Sequence, residues 1–168
     1  AAQACARSRD SDAAVGRWQY KWDANGNLLD KSLPNGSRVA YRYDRLNRLL
    51  QEDDLSTTEL DYLYAYDNVG YGKGNLSSIK NTDVSIDYQY DWRGFVMKET
   101  YLLKGQAYSY QYARNYAGQP LYITYPDQSA LEYTYNAQGL LSAANYKQGT
   151  TTKNIIAGRQ YNRFGSVV

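Results

Sequence analysis

Aromatic and polar residues alternate along the chain in short runs. Trp18, Tyr20 and Trp22 alternate with Gln19 and Lys21, and Val39, Tyr41 and Tyr43 alternate with Arg38, Ala40 and Arg42. Residues two apart lie on the same side of a strand, so each run predicts a short strand with one aromatic face and one polar face. Behind each run stands an Asp or Asn, then two residues, then usually Gly. That order is turn chemistry: the side-chain oxygen accepts a nearby backbone N–H, and Gly tolerates the positive φ a tight reversal needs. A second strand follows each turn, as in Asn27-Leu28-Leu29, Phe95-Val96-Met97 and Leu140-Leu141.

The pattern recurs seven times. Its landmarks are Trp22-Asp23 with Gly26, Tyr43-Asp44 with Asn47, Tyr66-Asp67 with Gly70, and Tyr90-Asp91 with Gly94. Arg114-Asn115 with Gly118, Tyr135-Asn136 with Gly139, and Tyr161-Asn162 with Gly165 complete the series. The acid or amide positions 23, 44, 67, 91, 115, 136 and 162 are 21, 23, 24, 24, 21 and 26 apart, a period that marks a repeat architecture. The fifth repeat departs by placing Arg114 where the others carry an aromatic. Midway between aromatic runs, Leu33-Pro34-Asn35-Gly36 and Tyr125-Pro126-Asp127-Gln128 read as return turns, and Asn35-Gly36 is a hairpin signal. The expected fold is all-β: an antiparallel meander of about a dozen strands, each roughly 5–7 residues long. At roughly 4.8 Å per strand the strip extends near 60 Å and has to twist and curl. Residues 1–16 do not follow the pattern and read as an irregular leader or linker; residues 17–168 hold the repeats. The last repeat ends just as its second strand starts, as in a piece of a longer array.

Composition narrows the chemistry. Of 168 residues 20 are Tyr, which suits a half-buried pleated surface because the ring packs while the hydroxyl stays wet. Mean hydropathy is −0.73, so much of the sheet is expected to be exposed. Lys and Arg number 19 against 17 Asp and Glu, a balance that gives no reason to expect a nucleic-acid partner. No run of about 18 apolar residues is present, so no membrane-spanning helix is expected. His is absent and Cys5 is alone, which argues against His-dependent nucleophile systems, the usual zinc sites and an internal disulfide framework. No cofactor or metal is expected.

Tyr43-Asp44, Tyr66-Asp67 and Tyr90-Asp91 with their following Gly or Asn resemble the repeats of the Rhs/YD-repeat family of large bacterial proteins. Asn25-Gly26-Asn27-Leu28, Leu46-Asn47-Arg48-Leu49 and Ile123-Thr124-Tyr125-Pro126-Asp127 resemble that family's consensus too. The resemblance covers residues 17–168 and takes its specificity from repetition. It implies a β-ribbon that winds into a hollow shell, as in toxin-complex and secretion-system effector proteins and the related teneurin-type shells. Such shells enclose a toxic cargo domain, which implies as partners that cargo and further repeats of the same parent chain or of another copy, and a secreted or cell-surface location. Neither an aspartyl self-cleavage segment nor a variable toxin domain is recognisable in these residues.

The remaining constellations favour structural roles. The repeat Asp residues could be pictured as paired carboxylates for glycoside hydrolysis. Asn at 115, 136 and 162 argues for turn capping, because an amide caps but cannot act as a base. Glu52, Asp53, Asp54, Glu59 and Asp61 form an acidic run without calcium-loop spacing and read as a solvated turn. Gly70-Tyr71-Gly72-Lys73-Gly74 lacks the spacing of a phosphate loop and reads as an enlarged hairpin tip. The aromatic rows read as cross-strand ladders. Tyr71 and Trp92, in or beside turns, are the candidates for ligand contact. The alternative function is an extracellular module that recognises glycan or a partner protein through exposed aromatics.

Overall fold

The computed structural model describes residues 17–58, 61–68 and 70–168, with the backbone of Arg7 and Ser8. Cys5, Glu59 and most of the leader assigned to residues 1–16 lie outside the described residues. Among the described residues there are fourteen strands and no helix. The chain forms two compact units, Ala1–Asn68 with Lys73–Ile86, and Val69–Gly72 with Asp87–Val168.

The first unit contains β1 (Arg7–Ser8), β2 (Gln19–Trp22), β3 (Leu28–Ser32), β4 (Arg38–Tyr43), β5 (Leu49–Asp54), β6 (Tyr62–Tyr66) and β7 (Leu76–Lys80). Each strand pairs antiparallel with the next in sequence. Strand β8 (Val84–Tyr90) begins in this unit and ends in the second. The second unit continues with β9 (Val96–Leu103), β10 (Gln106–Arg114), β11 (Pro120–Thr124), β12 (Ala130–Tyr135), β13 (Leu141–Gln148) and β14 (Thr151–Ile156), again paired in sequence order. The meander expected from the alternation is therefore present in both units. A last turn, Asn162–Gly165, is bracketed by the isolated bridge between Tyr161 and Val167.

Several strands outrun the expected length: β9 and β13 have 8 residues and β10 has 9. Their return turns explain this. Leu103 pairs with Gln106 across Lys104 and Gly105, both at positive φ (49° and 81°), so the ladder continues to a two-residue tip. By contrast Leu33–Ser37 is a wider reversal, closed by Gly36 N–H to the Leu33 carbonyl and Leu33 N–H to the Ser37 carbonyl.

A feature the alternation does not predict recurs after the repeat turns. Lys21 pairs with Asp30 but Trp22 with Leu28, leaving Leu29 as an extra residue. The same slip leaves out Leu50, Ser77, Leu121 and Ser142. Each is a β-bulge, which bends the strand and increases its local twist. In the second unit a tyrosine of the following repeat covers the carbonyl just before the extra residue. Tyr135 Oη donates to the Pro120 carbonyl (2.9 Å) and Tyr161 Oη to the Leu141 carbonyl (2.7 Å).

Burial is shallow. Among the described residues Ala144 is the one fully buried hydrophobic side chain (3% exposed), and Ser78 and Ser129 are the buried polar ones. No large side chain is fully enclosed. Stability must therefore come from backbone ladders, turns and cross-strand ring contacts such as Tyr101–Tyr110 and Tyr110–Tyr125, edge-to-face at 5.8 and 5.9 Å. Removing a bulge-covering hydroxyl leaves its carbonyl without that donor. Tyr135→Phe and Tyr161→Phe should each lower the unfolding free energy by about 0.5–1.5 kcal/mol. Tyr108→Phe, at a residue that is 41% exposed, should be neutral within the error of urea titrations.

Candidate functional site

The seven repeat turns share one piece of chemistry. Asp23 Oδ1 accepts the N–H groups of Asn25 (2.9 Å) and Asn27 (2.8 Å). Asp44 does the same for Leu46 and Arg48, and Asp91 for Arg93 and Phe95. Asn136 caps Gln138 and Leu140, and Asn162 caps Phe164 and Ser166. Asn115 caps Gln119 N–H and donates its own amide to Gln119 Oε1. Asp67 is the variant: its loop is longer, its own φ is 62°, and its Oδ1 accepts Gly74 N–H at 2.6 Å. Asn47, which replaces Gly in the second repeat, adopts φ 60°, a value Asn tolerates better than other side chains.

These contacts hold the carboxylates in their charged form. The Asn27 side chain and backbone amides keep Asp23 below the ordinary Asp range, and the Arg48 amide leads the same effect on Asp44. At Asp91 burial pushes upward, but the bonds from Arg93 and Phe95 outweigh it. Asp67 is lowered to about 2, first by the hydrogen bond from Arg48 and then by the Gly74 amide.

In the first, second and fifth repeats the side chain four residues after the Asp or Asn reaches the turn of the next repeat. Asn27 Nδ2 donates to Asn47 Oδ1 (2.8 Å), and Arg48 Nη2 to Asp67 Oδ2 (2.7 Å). Gln119 Nε2 donates to the Gly139 carbonyl (2.7 Å). In the fourth repeat Arg93, two residues on, donates to the Asn115 carbonyl, while Phe95 lies over Gly118. Arg48 also lies 4.4 Å from the centre of the Tyr66 ring. In every case the earlier repeat supplies the group that reaches the later turn. The alternation of apolar residues hides this ladder; Asn27, Arg48 and Gln119 share a spacing from the Asp or Asn, but that spacing alone does not say which turn they face.

Of the two ligand-contact candidates, Tyr71 is 64% exposed and Trp92 is 65% exposed. Trp92 borders a cavity of about 400 Å³ with Arg93, Arg114, Asn115, Tyr116 and Leu121. Within the acidic run, Asp61 Oδ2 caps Asp54 N–H at 2.7 Å. Among the described residues no group of three or more Cys, Asp or Glu could hold a metal ion. No helix there is long and apolar enough to cross a membrane. On the aromatic face, Glu52 stands opposite Tyr41 and Tyr62, and Glu99 opposite Tyr110.

The fold and its turn ladder define an all-β array of short capped hairpin repeats, and known proteins share its features. Residues 22–59 match the family described as RHS Repeat. A relative called probable deoxyribonuclease RhsA, from Dickeya dadantii (strain 3937), is 38% identical over 53 residues, 31% of this chain and 4% of that protein. A crystal structure of TcdB2-TccC3 superposes with a TM-score of 0.80 at 15% identity, covering 92% of this chain and 9% of that one. The Photorhabdus luminescens Tc holotoxin pore gives 0.78 at 16% identity, with 93% and 9% covered. The chain thus spans a small fraction of the proteins it matches. Residues 22–59 are similar to an RHS repeat, and the resemblance to the Rhs/YD-repeat family holds.

Two predictions follow from the turns. A Cβ on Gly118 (φ +82°) would stand 2.9 Å from Phe95 Cζ, whereas one on Gly26 (φ +87°) would meet nothing within 4 Å. Gly26→Ala should cost about 1–2 kcal/mol from backbone strain alone, and Gly118→Ala about 1–3 kcal/mol more from overpacking, both read by urea titration. The second concerns acid. A depressed carboxyl contributes stability that is complete above its unfolded value of 3.8 and is lost as pH falls through its folded value, about 2 for Asp67. Amide exchange between pH 4 and 2 should therefore loosen the turns at Asp23, Asp44, Asp67 and Asp91 before those at Asn115, Asn136 and Asn162. Asp67→Asn should remove the pH dependence of its own turn.

Proposed function

We propose that the chain is a structural segment of an Rhs/YD-repeat shell that encloses a toxin or effector cargo. The observation that carries this reading is the one-directional turn ladder. At four junctions, first to second, second to third, fourth to fifth and fifth to sixth, the earlier repeat presents a group to the later turn, an arrangement suited to extending a wall. The likeness to Tc toxin structures supports the reading at the level of fold. The partners are then further repeats of the parent chain and the enclosed cargo, and the location is secreted or at a bacterial cell surface. The repeat landmarks act as turn and ladder residues, and the segment is not an enzyme. The nuclease named for the relative belongs, in this reading, to parts of that protein outside the 4% matched here. The exposure of Tyr71 and Trp92 supports a second reading, recognition of glycan or a partner protein at the turns.

Both halves of the proposal are testable. The purified chain with magnesium should leave supercoiled DNA intact; cleavage abolished by Asp91→Asn would refute a purely structural role. In the parent protein, limited proteolysis should spare a cargo domain while the wall is intact. The ladder variant Phe95→Ala/Gln119→Ala should expose it. Equal digestion of the cargo in the unmodified parent would overturn enclosure.

A further inference from the structure

We infer that Glu99 and the tyrosines around it form a receptor for a cation on an aliphatic stem, an Arg or Lys side chain. The site lies on the aromatic face of the hairpin β9–β10. It is a cavity of about 500 Å³ lined by Glu99, Tyr101, Leu103, Tyr108, Tyr110 and Tyr112. The carboxylate accepts the hydroxyls of Tyr101 (3.1 Å) and Tyr112 (3.3 Å). Tyr110 stands directly opposite in the ladder, edge-to-face with Tyr101 at 5.8 Å. Burial first, then the bond to Glu99, push the Tyr101 phenol up to about 12, so it remains a donor across the physiological range.

Two neutral hydroxyls orient the carboxylate but do not balance its charge. Among the described residues Glu99 makes no ion pair. Arg114, the cation beside Tyr112, is lodged against the rings of Tyr112 and Phe95 at 5.8 and 5.5 Å and donates nothing to Glu99. The chain itself displays the completed arrangement elsewhere. Glu132 accepts the Tyr122 hydroxyl (2.6 Å) and is paired with Lys147 Nζ at 2.8 Å. Glu99 has two tyrosine hydroxyls where that trio has one, and lacks the lysine. The aromatic face also accepts an ammonium in the first repeat, where Lys31 Nζ sits 5.1 Å from the Trp18 ring centre.

The position recurs in three repeats. Lys31, Glu52 and Glu99 each follow the repeat Asp by eight residues, from 23, 44 and 91. Glu52 repeats the arrangement in the first unit. It stands opposite Tyr41 and Tyr62, and its charge, second to burial, pushes the Tyr41 and Tyr64 phenols upward. A neutral sugar would stack on these rings but leave the carboxylate unbalanced, so charge complementarity selects a cation. The half-exposed rim of Leu103 and Tyr108 selects a cation on an aliphatic stem, since Arg and Lys lay their methylenes along apolar surface while the head seeks charge. This site is independent of what the wall encloses.

The test is an NMR titration of the whole chain with an acetylated, amidated Gly-Arg-Gly-Arg-Gly peptide. A Glu-containing counterpart and a neutral maltohexaose are run as separate arms. The Arg peptide should saturably shift the ring resonances of Tyr101, Tyr110 and Tyr112 with millimolar affinity. Glu99→Gln should weaken it about tenfold, the size of one lost charge-assisted contact. If Glu99→Gln does not keep the native spectrum, Tyr101→Phe serves instead, since it preserves the ring and should weaken binding less. Unchanged affinity in the variant that folds overturns the receptor. So does maltohexaose acting at lower concentration than the Arg peptide, or no shift up to ~10 mM peptide. None of these failures touches the wall reading, which the cargo proteolysis decides separately.

Discussion

One side-chain oxygen organises this protein. At each repeat turn an Asp or Asn oxygen accepts backbone amides that the reversal takes out of the strand ladder; in five of the seven turns it holds those two and four residues on. A buried or half-buried N–H without a partner costs more than a made hydrogen bond returns, so this capping decides where the chain reverses. It also fixes the distance from the turn to everything after it. The extra residue falls six after that Asp or Asn at Leu29, Leu50, Leu121 and Ser142, and Lys31, Glu52 and Glu99 fall eight after it.

A meander normally leans on a second layer, and these units have none to lean on within the described residues. The substitute is a set of nearest-neighbour contacts between turns: amide on amide at Asn27–Asn47, guanidinium on carboxylate at Arg48–Asp67, ring on glycine at Phe95–Gly118. The chemistry differs from step to step while the geometry is kept. This is the behaviour of a repeat array, whose stability is close to a sum of local units and their interfaces. It also explains why Gly118 cannot be exchanged freely. Its positive φ and the ring above it impose two separate demands on one position.

Much of this was legible in the residues. The period-2 aromatics gave the strands, and the Asp or Asn with its Gly gave the turns, because both signals are local and act on the backbone directly. The bulges at Leu29, Leu50, Leu121 and Ser142 were not legible. A leucine left out of register looks the same in sequence as one in register. The Lys104-Gly105 tip was missed because Lys is not a turn former and a single Gly does not by itself say where a hairpin reverses; the two strands that meet there complete the specification. The contacts between repeats were hidden for a related reason. They join residues about twenty apart, and only the structure shows which offsets face one another. Arg114, the sequence anomaly of the fifth repeat, does occupy an aromatic position, lying against two rings as a flat cation in a tyrosine's place.

The preponderance of tyrosine over phenylalanine is the last consequence of a single-layer sheet. A face that is never fully covered must gain ring-on-ring packing without presenting bare hydrocarbon to water. Phenylalanine would supply the first and fail the second. Tyrosine meets both, provided each hydroxyl finds an acceptor, and the acceptors here come from two sources. Some hydroxyls turn to backbone carbonyls at the bulges, as Tyr135 and Tyr161 do, so the defect in the ladder and the polar tip of the ring satisfy each other. Others turn to a carboxylate placed among them, as Tyr101 and Tyr112 do at Glu99. That second solution introduces a charge into an aromatic surface, and a charge there is costly unless it is used or balanced. The tyrosine face is therefore a built surface with its own recognition chemistry, not an unfilled core.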